Sequence, residues 1–168
     1  MTQPYADRIV PSSDHHIAST NENKILRLRT NSFAAVVMLV IELGLGVGVN
    51  LYSNLPASDH GKGLLTAFGA AVTGGPIALT LHALLGTLLL ITGIAAVVRA
   101  TLARRTLLIG VAILAFVAIL VAWVTGTKFV GDMSAGTSLL MALATALAIL
   151  CYATLLFIAP TPRSSSRR

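Results

Sequence analysis

Charge is scarce in this chain: only 11% of its 168 residues are Asp, Glu, Lys or Arg, against roughly 25% in an ordinary soluble domain. Cysteine is nearly absent too. Cys151 stands alone, so no intrachain disulfide forms, and a buried, small apolar role is the expectation for it. Aromatic residues make up 5% of the chain, whereas a nucleic-acid-binding surface needs them interleaved with basic residues on a folded face. Nucleic acid is therefore not an expected partner. Met1–Arg29 is polar and lacks the apolar core of a secretory signal. No long soluble loop is present to house a hydrolase constellation.

Long apolar runs fill the space that charge leaves. Phe33–Ser53, Pro76–Val98, Leu107–Thr127 and Ala135–Ile158 are rich in Leu, Ala, Val and Ile. Each can cross a hydrocarbon core of about 30 Å, which needs about 20 helical residues. None alternates with the period of a β-strand, and helix is the way to satisfy the backbone in lipid. The fold class expected is an all-α membrane protein, a four-transmembrane-helix up-down bundle that contacts the lipid bilayer. Residues 1–31 read as a disordered tail, 32–159 as the four-helix domain and 160–168 as a basic tail.

Orientation follows from the bases. Arg8, Lys24, Arg27 and Arg29 precede helix 1; Arg99, Arg104 and Arg105 join helices 2 and 3; Arg163, Arg167 and Arg168 end the chain. The other two loops hold only Lys62 and Lys128. The richer side is expected to be cytoplasmic, with both termini on it, in a cell-membrane protein.

Local signals add detail. Thr30, Asn31 and Ser32 are cap-type residues before helix 1. Gly44 and Gly48 form a small-xxx-small pair, which in membranes favours close helix approach. In the first outer loop, Leu64, Leu65, Phe68 and Val72 fall roughly on one face at helical spacing. They suggest a short interfacial helix over Lys62–Val72, able to lid whatever lies beneath. Gly74, Gly75 and Pro76 end it and begin helix 2. Short links make neighbours antiparallel, so helices 2 and 4 face each other across the core, as do helices 1 and 3.

Two ionisable residues lie within spans, and such residues are functional candidates by default. Glu42 is halfway along helix 1, where an acidic group costs about 2.5–3.5 kcal/mol to insert. It is expected to be neutral or to face a partner, as a polar or proton relay or as a helix-packing hydrogen bond. His82 is about 9 Å below the outer end of helix 2 at about 1.5 Å per residue. Gly86 and Gly93 lie within about 40° of it around the axis, leaving a groove that suits a flat ring or a tight helix contact. Met141 on helix 4 matches the depth of His82, with Thr137, Ser138, Thr145, Ala148 and Tyr152 along its stripe. Haem iron accepts a His/Met pair, so His82 and Met141 are the candidate metal ligands, with Met141 as a core residue the plainer alternative. His60, in the outer loop, is a second ligand folded in from above or a solvated loop residue. His15 and His16 lie in the tail without preorganised partners. Trp123 reads as part of the aromatic belt, and Lys128 and Asp132 as an exposed pair.

From Val40 to about Val98, roughly a third of the chain, this pattern resembles one four-helix half of the haem A synthase type of membrane haem protein. The features that carry it are Gly44, Gly46, Gly48, Asn50 and Tyr52 at the end of helix 1, a proline-containing outer loop, and His82 followed by Leu84, Leu85 and Gly86. The resemblance implies His82 as an axial ligand. It does not extend to synthase activity: Leu79 stands where that family has a glutamate three residues before its histidine, and helix 4 has Met141 in place of a second histidine. Two-haem b-type cytochromes fit less well, since one intramembrane histidine cannot ligate two haems.

Three functions are compatible with these residues. One is binding of a single haem b in the outer half of the bundle, for electron transfer or haem handling, with other membrane or respiratory subunits as partners. Another is a non-catalytic accessory subunit whose polar residues fix helix packing. The third is a small proton-coupled transporter using Glu42.

Overall fold

The computed structural model describes residues 13–52, 63–74, 76–132 and 134–159. They form five helices: α1 (Ser13–Tyr52), α2 (Leu64–Thr73), α3 (Ile77–Leu102), α4 (Thr106–Asp132) and α5 (Ala135–Ile158). Four of these contain candidate membrane spans, Ile25–Leu51, Ile77–Leu102, Thr106–Phe129 and Ala135–Ile158, of 27, 26, 24 and 24 residues. Each exceeds the roughly 20 residues that a hydrocarbon core requires.

The distribution of side-chain size supports a lipid setting. Bulky residues point outward, with Ile91 61% and Leu150 65% exposed, while Ala96, Ala100, Ala112, Ala115 and Ala148 are completely buried. Water would penalise that outward apolar face, whereas lipid is as apolar as a leucine core. Small residues inside let the helix backbones approach closely. The chain is a multi-pass integral membrane protein.

The four long helices close into a ring in which α1 packs on α3 and α5, and α4 packs on α3 and α5. This is the expected up-down bundle, with α1 diagonal to α4 and α3 to α5. Helix α2 lies across α3 and α4, at the end opposite Arg99, Arg104 and Arg105; the two ends are called here the α2 end and the basic end. Local chemistry sets the helix limits. Pro76 opens α3, and its carbonyl accepts from the amides of Leu79 and Thr80. The Ser134 hydroxyl caps α5 by accepting from the Thr137 amide at 3.2 Å. Between α3 and α4 the chain reverses through Ala103, Arg104 and Arg105, with Arg104 in the left-handed region at φ 54°.

The structure revises four local expectations. Helix α1 begins at Ser13, so most of the segment expected to be a disordered tail is helical. Its junction with the bundle is docked: Leu28 is completely buried, and the Arg29 guanidinium donates to the Ala159 carbonyl at 3.1 Å. A helix propagates easily from such a formed turn. Thr30, Asn31 and Ser32 therefore lie within α1 and cap nothing. Thr30 bonds back to the Leu26 carbonyl, Asn31 bridges the Thr92 carbonyl and the Arg99 guanidinium, and Ser32 is buried. Among the described residues no helix closes on Gly44 or Gly48, since a Cβ at either would meet nothing within 4 Å. On α2, Phe68 and Val72 are half-buried as expected, but Leu65 is 82% exposed. It lies in the first turn of α2 and points away from the bundle. His60, the other residues of 53–62 and the basic tail 160–168 lie outside the described residues, as do the side chains of His15, His16, Leu64 and Asp132.

Candidate functional site

Helices α1 and α3 run antiparallel and share a register that interlocks two glycines with two polar side chains. Glu42 and Gly46 are one turn apart on α1; His82 and Gly86 are one turn apart on α3. The His82 ring lies on Gly46, where a Cβ would come within 3.1 Å of Cε1. The Glu42 carboxylate lies on Gly86, where a Cβ would come within 3.0 Å of Oε1. The tether between Asn31, Thr92 and Arg99 holds the same register nearer the basic end.

The interlock brings Glu42 Oε1 to 3.1 Å from His82 Nδ1, with the side chains 10% and 17% exposed. Separate in the sequence reading, the two intramembrane ionisable residues form one site, and each is the partner the other lacked. Their approach is close but off the hydrogen-bonding axis: Nδ1 makes no aligned hydrogen bond, and neither does Glu42 Oε2. Both atoms are buried. An unsatisfied polar group in such surroundings costs about 1–3 kcal/mol, so the site carries unused hydrogen-bonding capacity.

This pair lines a cavity of about 120 Å³ in the half of the bundle nearer α2. Met141 and Thr145 of α5, Trp123 and Gly126 of α4, and Gly86 of α3 line it as well. The Met141 sulfur packs over Gly126, where a Cβ would lie 3.3 Å from it. His82, Glu42, Gly86 and Met141 thus share one cavity. Gly93 does not line it. A Cβ there would come within 2.9 Å of Phe116 Cδ2 and 3.6 Å of the Tyr152 hydroxyl, so its surface is filled by core packing. The open groove expected along His82, Gly86 and Gly93 is absent for the same reason at Gly86, which receives Glu42 and Trp123.

Three contributors were not legible as site residues. Gly46 is one, although its position one turn from Glu42 was the available signal. Gly126 is another. Trp123 is the third: it turns into the bundle, donating from Nε1 to Thr87 Oγ1 at 3.3 Å and packing on Phe68 with ring centroids 5.6 Å apart. Helix α2 thereby covers one end of the cavity through Phe68. An indole with both an apolar face and a donor to satisfy gains more there than at a lipid surface. Cys151 is buried, as expected, and outside the cavity. Lys128 is exposed.

Chemically, the site offers one imidazole, one carboxylate and one thioether in an apolar enclosure. Among the described residues no three His, Cys, Asp or Glu side chains converge as a metal cage, so a bare ion lacks a ligand set. A metal already held in a macrocycle needs only axial ligands, and for that the donor types suffice. Searches against protein-family models, characterised proteins and solved structures find no match for this chain.

Proposed function

We propose that the cavity binds a redox-active flat ring, a single b-type haem with His82 as axial ligand, and that the protein serves electron transfer or haem handling. The basic end is taken as cytoplasmic, which puts the cavity in the outer half of the bundle and α2 at the outer interface. The observation that carries this reading is the Glu42–His82 pair. With Nδ1 beside the carboxylate, Nε2 is the nitrogen left for the cavity. A ligating histidine usually gives its second nitrogen to a carboxylate or carbonyl, which fixes its tautomer and strengthens it as a donor.

In this reading each side chain has a task. Glu42 orients the imidazole, and Gly46 provides the surface on which the ring rests. Met141 would supply a thioether donor to the bound group, while Phe68 and Trp123 stand between the cavity and the α2 end. A bound haem would supply one-electron chemistry. The free volume bears on the ligand: about 120 Å³ is close to the cavity of about 150 Å³ that admits benzene. Haem uptake therefore requires the walls to move apart. That volume favours, as a second reading, a single-ring molecule of the quinone class whose carbonyl oxygens meet the Glu42–His82 pair.

The test is the spectrum of full-length protein purified from haem-replete cells. A sharp α-band in the reduced-minus-oxidised difference is expected, lost in His82→Ala, and kept with an altered spin state or potential in Met141→Ala. Colourless protein, or a full spectrum in His82→Ala, refutes haem ligation. In the colourless case, quinone co-purifying with wild type and lost from Glu42→Ala supports the second reading.

A further inference from the structure

The cavity is not closed on every side. Leu43, Val47 and Asn50 line it from α1, yet all three are exposed, Val47 to 51%. Opposite them, Ser138 and Ala142 of α5 line it and are only partly covered. Among the described residues, the Phe68–Trp123 contact lies over the cavity toward α2, and buried Leu89 and Ile119 floor it toward the basic end. Nearer that basic end α1 and α5 belong to one tightly packed core, through Ala35 and Leu39 on one side and Ala148 and Tyr152 on the other. The opening is thus a gap between the α2-end halves of α1 and α5. Both helices are candidate spans, so the gap faces lipid.

Resting on the ring-binding reading, we infer that the ligand reaches Glu42 and His82 sideways from the outer leaflet, through this gap. The ligand class is a flat, membrane-dissolved ring with a polar edge or centre, and not a solute delivered from water. Two observations favour such a ring over a lipid tail. An acyl chain would fill the apolar walls but leave Glu42 Oε2, buried and without a hydrogen-bond partner, as costly as before, and His82 Nε2 without a ligand. A ligand with a polar atom gains hydrogen bonds or ligation there. The one polar side chain at the rim of α1, Asn50, is at the α2 end, where an amphiphile keeps its polar edge.

Trp123, the only tryptophan of the chain, lines the cavity and reports on the gap in protein produced without haem, because a haem beside it would quench its emission. The full-length protein in nanodiscs is titrated with a nitroxide-bearing alkane dissolved in the bilayer, and quenching of Trp123 is recorded. Val47→Phe and Ala142→Phe, which narrow the gap, should reduce quenching several-fold. Leu147→Phe, on the lipid face of α5 and outside the cavity, should leave it unchanged. Should a Phe variant fail to fold, Val47→Cys in a Cys151→Ala background, alkylated after purification with a bulky maleimide, must lower the quenching likewise. Equal quenching in gap and control variants overturns the inference. So does wild-type quenching by iodide in water that exceeds quenching by the bilayer probe. In parallel, the Soret band that wild type develops with haem-loaded vesicles should grow several-fold more slowly in the gap variants. If the quenching pattern holds and no Soret band forms, the route stands and the haem reading fails.

Discussion

The interlock of α1 with α3 makes a strong demand at Gly46. A Cβ there would lie 3.1 Å from His82 Cε1, 3.7 Å from Nδ1 and 3.8 Å from Nε2, where comfortable carbon contacts need about 3.5–4.0 Å. Gly46→Leu adds three further carbons in the same direction. Overpacking of this kind costs about 1–3 kcal/mol. Gly44 provides the control: it lies about 200° around the same helix, and a Cβ there meets nothing within 4 Å. Gly44→Leu extends into lipid and, by removing a helical glycine, gains roughly 0.5–1 kcal/mol. Gly46→Leu removes a helical glycine too, so that gain cancels and the two variants should differ by the overpacking cost alone, about 1–3 kcal/mol. For a chain of this length that is about 2–12 °C in Tm, at about 2–4 °C per kcal/mol. Thermal unfolding in detergent can be followed by a thiol-reactive dye at Cys151, the single cysteine, which is buried until the bundle opens. If Gly46→Leu unfolds no earlier than Gly44→Leu, the face that α1 turns toward His82 has been assigned wrongly.

Three other outcomes are expected. Glu42→Gln keeps the shape and polarity of the carboxyl and should unfold near the wild-type midpoint. Glu42→Ala leaves His82 without its polar neighbour and should lose about 1–3 kcal/mol in the same assay. Arg104→Gly should raise the midpoint by the equivalent of about 1 kcal/mol, because a non-glycine residue in the left-handed region is disfavoured, and Arg104→Val should lower it. For topology, Ala103→Cys in a Cys151→Ala background should resist an impermeant thiol reagent in intact cells while Gly63→Cys and Gly131→Cys react; reaction at position 103 would invert the orientation.

The four membrane helices were legible from sequence because lipid leaves the backbone no other way to satisfy its hydrogen bonds, although the start of α1 at Ser13 was not. Apolar length then gives the spans, and Pro76 marks where one helix starts, whereas the Ser134 cap of α5 emerged only in the structure. The order of neighbours followed as well, since the short links after helices 2 and 3 permit only antiparallel partners. The inward face of each helix was not legible. In water an apolar stripe marks the buried side, but these helices are apolar all round, and lipid accepts Ile91 or Leu150 as readily as a core would. Steric fit and a few polar groups decided the rotation instead. Spacing in the sequence favoured Gly44 and Gly48 over Gly46; only the opposing helix reveals that Gly46 receives a side chain. The same packing decided that Glu42 meets His82 and that Trp123 turns inward to Thr87. Each of these is a relation between residues on different helices, and it arises only when backbones come close enough for a missing Cβ to matter.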